Sequence, residues 1–186
     1  MARTESNMLE LGTIAPNFKL KDTVSDQMME LNEIKGEKGT VIMFICNHCP
    51  FVVHVNPKIS ELAKIYQQKG IKFIAISSND IDKYPQDAPD LMKIKAKEEG
   101  YTFPYLYDET QEVAKSYDAA CTPDFYLFDS KMKLVYRGQL DDSRPENGID
   151  LTGSDLSAAM DSLLQGTKIN EVQKPSIGCN IKWKTS

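Results

Sequence analysis

The amino-acid sequence predicts an α/β fold in which a mixed central sheet is flanked by helices. Residues 41–45 and 71–77 are apolar without polar alternation, as strands buried on both faces of a largely parallel sheet are. Apolar residues at helical spacing lie between them, at positions 59–66, so this segment is predicted to form a right-handed βαβ unit. A hairpin and a closing helix follow in the second half, which makes the sheet mixed.

The elements before and between these strands follow from local signals. Residues 15–20 and 28–31 favour edge strands or extended connections. The first long helix is predicted to end at Lys69-Gly70, a basic last turn followed by a C′ glycine. After the second buried strand, a proline-containing loop leads to a helix at residues 90–99, which Gly100 terminates.

The second half continues with a short extended piece at residues 103–107. Asp108, with Gln111 three residues later, forms a capping-box pattern that predicts a short helix through Tyr117. Residues 125–128 and 134–136 flank a polar turn and predict the hairpin. The last helix, residues 154–165, has leucine, alanine and methionine on one face and ends at Gly166.

Length and composition limit the classes of protein to consider. A chain of 186 residues has room for one domain, with a core at about residues 10–165 and a polar tail at about 167–186. Hydrophobic residues make up 41% and charged residues 26%, which excludes a disordered chain. The net charge of −5, without a basic stripe, argues against a nucleic-acid partner. The longest apolar run, residues 41–46, is far shorter than the roughly 20 residues of a membrane span.

Cysteine content directs attention to redox chemistry. The first residues show no basic region leading into an apolar one, so we expect a cytoplasmic protein. Only four cysteines are present, far fewer than in a disulfide scaffold. In a reducing compartment, a close cysteine pair indicates redox or metal chemistry more often than a structural bridge.

The pair Cys46 and Cys49 lies in the segment Cys-Asn-His-Cys, between the first buried strand and its helix. A helix N-terminus offers unpaired N–H groups, which can lower a thiol pKa from about 8.5 to roughly 3.5–7.5. We therefore expect Cys46 to be the attacking thiolate and Cys49 to resolve the mixed disulfide. His48 either stabilises the Cys46 thiolate or is simply solvated, and His54 is interpreted as a surface or cap residue.

These residues, together with Cys121-Thr122-Pro123 about 75 residues later, resemble the thioredoxin-like superfamily over about residues 10–165. More narrowly, the chain is similar to the redoxin branch that includes AhpC/TSA-type peroxiredoxins and TlpA-like reductases. The resemblance implies that Pro123 is cis and that its loop packs against the cysteine pair. It also implies that Thr122 offers its backbone to an extended substrate chain.

The sequence departs from each of these relatives. Ile45 stands where thioredoxin has a tryptophan, and Thr40 where it has a buried acid. Aligned on Cys49, the peroxiredoxin threonine position holds Cys46 and the proline position Ile42, and no arginine lies beside Pro123. A peroxidase would therefore lack groups that bind its oxyanion.

We therefore expect a thiol–disulfide oxidoreductase without a cofactor, acting on a protein or small-molecule disulfide with electrons from a cellular dithiol. The alternative is a peroxiredoxin-like hydroperoxide reductase with antioxidant activity. Cys121 is either a small buried hydrophobe or a third thiol that joins the pair in a relay or a zinc or copper(I) site, the basis of a further alternative, a metal-binding protein. Cys179 is either an exposed tail residue or a thiol that folds back to resolve the disulfide.

Overall fold

A computed structural model describes residues 3–185 of the chain. The five helices of this part are Leu31–Ile34 (α1), Pro50–Gln67 (α2), Pro89–Glu98 (α3), Glu112–Ser116 (α4) and Ser154–Gln165 (α5), and a 3-10 turn spans Pro85–Asp87. The strands are Arg3–Glu5 (β1), Lys19–Asp22 (β2), Met28–Glu30 (β3), Gly39–Phe44 (β4), Ile71–Ser77 (β5), Tyr105–Tyr107 (β6), Cys121–Thr122 (β7), Asp124–Asp129 (β8), Leu134–Gly138 (β9) and Ile177–Asn180 (β10).

The main sheet has seven strands in the order β3-β2-β6-β5-β4-β8-β9. The central strand β4 runs parallel to β5 and antiparallel to β8, and β8 and β9 form the antiparallel hairpin. The predicted mixed α/β sheet is thus confirmed. A second sheet, of order β1-β10-β7, joins the two ends of the described chain and was not predicted.

Side chains of β4 are buried at every position because helices cover both faces of the sheet. Val41 and Met43 point to the face that α2 and α5 cover, where they pack in one core cluster with Met160. Ile42 and Phe44 point to the opposite face and pack with Tyr117. This two-sided burial explains the continuous apolar run and fixes the carboxyl end of β4 at the centre of the molecule.

Two predicted elements have different bounds in the structure. The helix after the first strand begins at Pro50, well before the periodic residues, because proline is tolerated in the first turn. At 28–31, the strand ends at Glu30 and a helical turn starts with Leu31.

The capping box around Asp108 does not form as predicted. The Asp108 carboxylate accepts the Ala114 N–H at 2.9 Å, but α4 begins only at Glu112. Gln111 has a left-handed backbone, and its side-chain amide donates to the carbonyl oxygens of Ser78 and Lys182 instead.

The C-terminal segment is more than a polar tail. Strand β10 pairs with β1 on one side and β7 on the other, and Cys179 and Ile181 are buried in the two core clusters. The prediction of a tail outside the core was wrong because pairing with strands distant in sequence leaves no local periodic signal. Within the described residues, no helix combines the length and hydrophobicity needed to cross a membrane.

Candidate active site

Two chain segments bring the predicted site residues together at the carboxyl end of β4. Beyond the strand, the Ile45 N–H donates to the Ile76 carbonyl oxygen at 3.0 Å, which aligns the chain end beside β5. Cys46 follows directly, and Cys49 is the N-cap residue of α2. All four cysteines are present as thiols, with Cys46 exposing 2% of its surface and Cys49 none.

The second segment is the Thr122–Pro123 loop, whose peptide bond is cis, as the resemblance implied. The Thr122 hydroxyl lies 3.5 Å from Cys46 Sγ. The thiol form of Cys49 donates to the Thr122 carbonyl oxygen at 3.2 Å. The loop therefore contacts both sulfur atoms, one through a side chain and the other through the backbone.

The two thiols of the pair interact with each other and lose their protons in linked steps. The hydrogen bond between them raises the pKa of Cys46, and burial and the nearby Asp87 carboxylate raise it further. The same hydrogen bond lowers the pKa of Cys49 to about 5 against the effect of burial, with help from Cys179 and the Val52 N–H. The pair therefore carries its negative charge on Cys49.

This distribution corrects the expectation that the Cys46 pKa is lowered. The interaction between the two thiols is the main cause, and the start of α2 adds to it because the helix begins at Pro50 and its Val52 N–H acts on Cys49 rather than Cys46. Cys46 lies three residues earlier, against a buried carboxylate. The helix N–H groups therefore lower the pKa of Cys49 and not, as expected, that of Cys46.

Asp87 is a site residue that the sequence analysis missed. This fully buried carboxylate accepts the Asn47 N–H at 2.8 Å, the His48 Nδ1–H at 2.7 Å and the Asn79 side-chain amide at 2.8 Å. A ring nitrogen of His48, a carboxylate oxygen of Asp87 and Cys46 Sγ all lie within 4.8 Å of one another. Asp87 therefore holds the loop between the cysteines from the β5–α3 connection.

Further contacts fix the same loop. The His48 ring stacks on Tyr84, with ring centroids 5.6 Å apart, and the Tyr105 hydroxyl donates to the Asn47 side-chain oxygen at 3.1 Å. His48 is thus a bound and partly buried side chain, not a solvated one. No sequence signal distinguished Asp87, since the loop before α3 contains several acidic residues without a motif.

His54 also differs from its interpretation as a surface or cap residue. His54 lies within α2, past its first residues, and its Nε2 is 2.8 Å from the Ser143 hydroxyl oxygen.

The backbone of Thr122 is already paired, which corrects its expected availability to a substrate chain. Cys179 of β10 lies opposite Thr122 in an antiparallel register, and Asn180 lies opposite Cys121. Cys179 and Cys49 also shift each other's pKa, which falls for Cys49 and rises for Cys179. The chain's own strand therefore occupies the edge that the resemblance assigns to substrate, and Cys179 is a buried neighbour of the pair instead of an exposed tail residue.

Cys121 lies on the far side of the loop. Its thiol points to the Pro123 carbonyl oxygen at 3.6 Å, and burial raises its pKa well above the ordinary range. Among the described residues, the only cluster with metal-ligand geometry contains Cys46, His48 and Asp87. The three-thiol site considered from the sequence is therefore not formed, because Cys121 packs in the interior like a small hydrophobe.

Fold and site together define a thioredoxin-like protein with a dithiol at a strand–helix junction. The family model described as the AhpC/TSA family matches residues 11–137, so the chain belongs to that family. An uncharacterized conserved protein from Geobacillus kaustophilus has a crystal structure with 59% sequence identity and a TM-score of 0.98, covering 100% of this chain and 98% of that one.

Other relatives carry a functional name. Thiol-disulfide oxidoreductase ResA from Bacillus thuringiensis is 28% identical over 132 residues, which is 71% of each chain. The thioredoxin domain of a thiol-disulfide oxidoreductase from Bacteroides vulgatus matches with a TM-score of 0.58 at 20% identity, covering 74% of this chain and 91% of that one, and it supports the fold alone. The predicted thioredoxin-like fold is confirmed, and the relatives support the class of thiol–disulfide oxidoreductase.

Proposed function

We propose that this protein is a thiol–disulfide oxidoreductase in which Cys46 and Cys49 exchange with the disulfide of a protein or small molecule. The observation that carries the proposal is that the Thr122–Pro123 loop contacts both sulfur atoms, Cys46 Sγ through the Thr122 hydroxyl at 3.5 Å and Cys49 Sγ through the Thr122 carbonyl oxygen at 3.2 Å. The loop thus holds the two thiols side by side, as disulfide formation requires, and the low pKa of Cys49 supplies the negative charge for exchange.

Both cysteines are buried, and Cys46 is the proposed attacking sulfur because it keeps 2% of its surface exposed while Cys49 keeps none. Its proton passes along the hydrogen bond to Cys49, and the resulting Cys46 thiolate attacks the substrate disulfide. The substrate S–S bond breaks, and its leaving sulfur takes up a proton. Cys49 loses its proton and attacks Cys46 Sγ, which releases the second substrate sulfur as a thiol. Two electrons pass to the substrate, and a cellular dithiol reduces the new Cys46–Cys49 disulfide.

His48 and Asp87 are positioning residues in this proposal. Asp87 orients the imidazole beside Cys46 through Nδ1 and fixes the Asn47 backbone, so the loop keeps Cys46 close to Cys49. Peroxide reduction ranks below disulfide exchange in this proposal because the peroxiredoxin threonine position holds Cys46 and no arginine lies beside Pro123 to bind an oxyanion.

A cytoplasmic location is part of the proposal. A reducing compartment would supply the dithiol donor that completes the proposed cycle.

The test combines two assays on one preparation. Reduced protein is incubated with insulin or with a small aromatic disulfide, and separately with hydrogen peroxide, each with a dithiol donor present. We expect disulfide reduction to exceed peroxide consumption and to fall at least 100-fold in Cys46→Ser and Cys49→Ser, with Cys121→Ser as the matched control that retains activity. Faster peroxide reduction than disulfide reduction would replace the proposal with the antioxidant alternative.

A further inference from the structure

The sulfur of Cys49 has a second sulfur neighbour besides Cys46. Strand β10 places Cys179 opposite Thr122, whose carbonyl oxygen lies 3.2 Å from Cys49 Sγ, and the nearby Cys179 thiol and backbone lower the pKa of Cys49. Cys49 therefore lies between two thiols, one from the strand–helix junction and one from the C-terminal segment.

Backbone contacts hold Cys179 in this position. Strand β10 is paired on both sides, with Glu5 opposite Ile177 on its outer edge. The Ser176 hydroxyl donates to the Pro123 carbonyl oxygen at 2.6 Å. At Gly178, a side chain would overlap the Thr122 carbonyl oxygen, so glycine is what permits this close approach. The proximity of Cys179 to Cys49 is thus built into the fold.

We propose that Cys179 is a third redox thiol that accepts the disulfide from the Cys46–Cys49 pair, an inference that rests on the proposed function. Once that disulfide has formed, the Cys179 thiol loses its proton and its sulfur attacks Cys49 Sγ. The Cys46–Cys49 bond breaks as the Cys49–Cys179 bond forms, and Cys46 leaves as a thiolate that takes up the proton. No electrons enter or leave the protein in this step.

Electrostatics favour this transfer only after the pair is oxidised. In the reduced protein, burial, the hydrogen bond with Cys49 and the negative charge of Cys49 raise the pKa of Cys179 to about 12. A disulfide-bonded Cys49 carries no charge and no acidic proton, so two of these three effects disappear. The nearby Lys182 ammonium, which lowers the pKa of Cys179, remains. Cys179 is therefore protonated and inactive next to the reduced pair and becomes a better nucleophile next to the oxidised one.

The transfer would change which cysteines are free thiols at the site. Cys46 would return to the thiol form while α2 is covalently joined to β10. The protein could then store two oxidising equivalents, one disulfide, at a buried bond, because Cys49 and Cys179 expose 0% and 3% of their surfaces.

Peptide mapping can test the relay, because trypsin separates the relevant cysteines. Cys46 and Cys49 fall in residues 39–58, Cys121 in 116–131 and Cys179 in 169–182. Reduced Cys46→Ser protein is treated with oxidised glutathione, quenched with acid, alkylated, digested and analysed by mass spectrometry. We expect residues 39–58 to be linked to 169–182 at least tenfold more than in the Cys46→Ser, Cys179→Ser double variant. Cys121→Ser added to Cys46→Ser is the matched control and should leave the linkage unchanged.

The outcomes separate this inference from the proposed function. If wild-type protein forms the Cys46–Cys49 disulfide and reduces insulin, but Cys46→Ser yields no linkage of 39–58 to 169–182, the relay is wrong and the function stands. Equal linkage of 39–58 to 116–131 would also overturn it, because an unfolded chain would link at random. If wild-type protein forms no Cys46–Cys49 disulfide, the proposed function fails first.

Discussion

The groups that surround Cys46 differ in charge and hydrogen-bonding character from those that surround Cys49. On the Cys46 side, the loop is held by Asp87, a buried carboxylate with three N–H donors. On the Cys49 side, the neighbours are the N–H groups of α2 and of β10 and the Cys179 thiol. A carboxylate raises the pKa of the sulfur it faces, and N–H donors lower it, so the surroundings move the negative charge toward Cys49.

The two buried carboxyl groups beside the site, Asp87 and Asp124, have different hydrogen-bond partners. Asp87 has donors for both of its oxygens. Asp124, which follows the cis proline, accepts the Tyr126 hydroxyl at 3.0 Å, and burial raises its pKa to about 8. Burial is the largest effect on the Asp124 carboxyl, and it outweighs the Tyr126 hydroxyl and the backbone groups of Ala120 and Phe125, which lower the pKa.

Replacing Asp87 should produce the largest change. Asp87→Ala leaves three N–H donors, one buried and two partly buried, without their acceptor, so we expect a loss of about 3 kcal/mol in the free energy of unfolding. Asp87→Asn keeps an acceptor but removes the charge, so the pKa of Cys46 should fall and its alkylation profile should move to lower pH. Chemical denaturation and residue-resolved alkylation measure the two effects, with the exposed Asp82→Ala as control.

If the alkylation profile of Cys46 is unchanged in Asp87→Asn, the Asp87 carboxylate does not raise the pKa of Cys46, and the contrast between the two cysteines is wrong.

Replacing Asp124 should act on the pH dependence of stability. Its unfolded carboxyl loses the proton near pH 4 and its folded carboxyl near 8, so the folded state binds more protons between these values and stability falls as pH rises through that window. Asp124→Asn should remove this fall and make the protein more stable at pH 7 by on the order of 3 kcal/mol. Thermal unfolding from pH 4 to 8 measures it, and the exposed Asp150→Asn should retain the parent slope. A parent protein with flat stability across this range would contradict the raised pKa.

A substitution at Gly178 should have a smaller effect, confined to the Cys49 side. In Gly178→Ala the new methyl group overlaps the Thr122 carbonyl oxygen, so β10 must shift away from β7 at a cost of about 1–2 kcal/mol. We expect faster alkylation of Cys49 and Cys179 in the native protein by several-fold, as measured by timed trapping and mass spectrometry. Gly12→Ala, whose φ of +87° strains the backbone away from β10 while its side chain meets nothing within 4 Å, is the control for a general loss of stability. Equal trapping rates in the two variants would show that β10 does not cover the pair.

Local patterns in the sequence determined much of this molecule. The apolar run that became β4, the full extent of β5, the last helix α5 and the β8–β9 hairpin all follow from periodicity and turn residues. The junction holding Cys46 and Cys49 and the Thr122-Pro123 dipeptide were also found, because both are short motifs whose residues are adjacent in the chain.

Only the tertiary structure decided which sulfur carries the charge and what surrounds it. Asp87 meets His48 across 39 residues, and Cys179 meets Thr122 across 57, so neither contact belongs to a local pattern. A periodic sequence records which face of an element is buried, and it does not record which distant element covers that face. The pKa values of Cys46 and Cys49 depend on those covering groups, since burial, carboxylates and N–H donors act over a few ångströms in space regardless of separation along the chain.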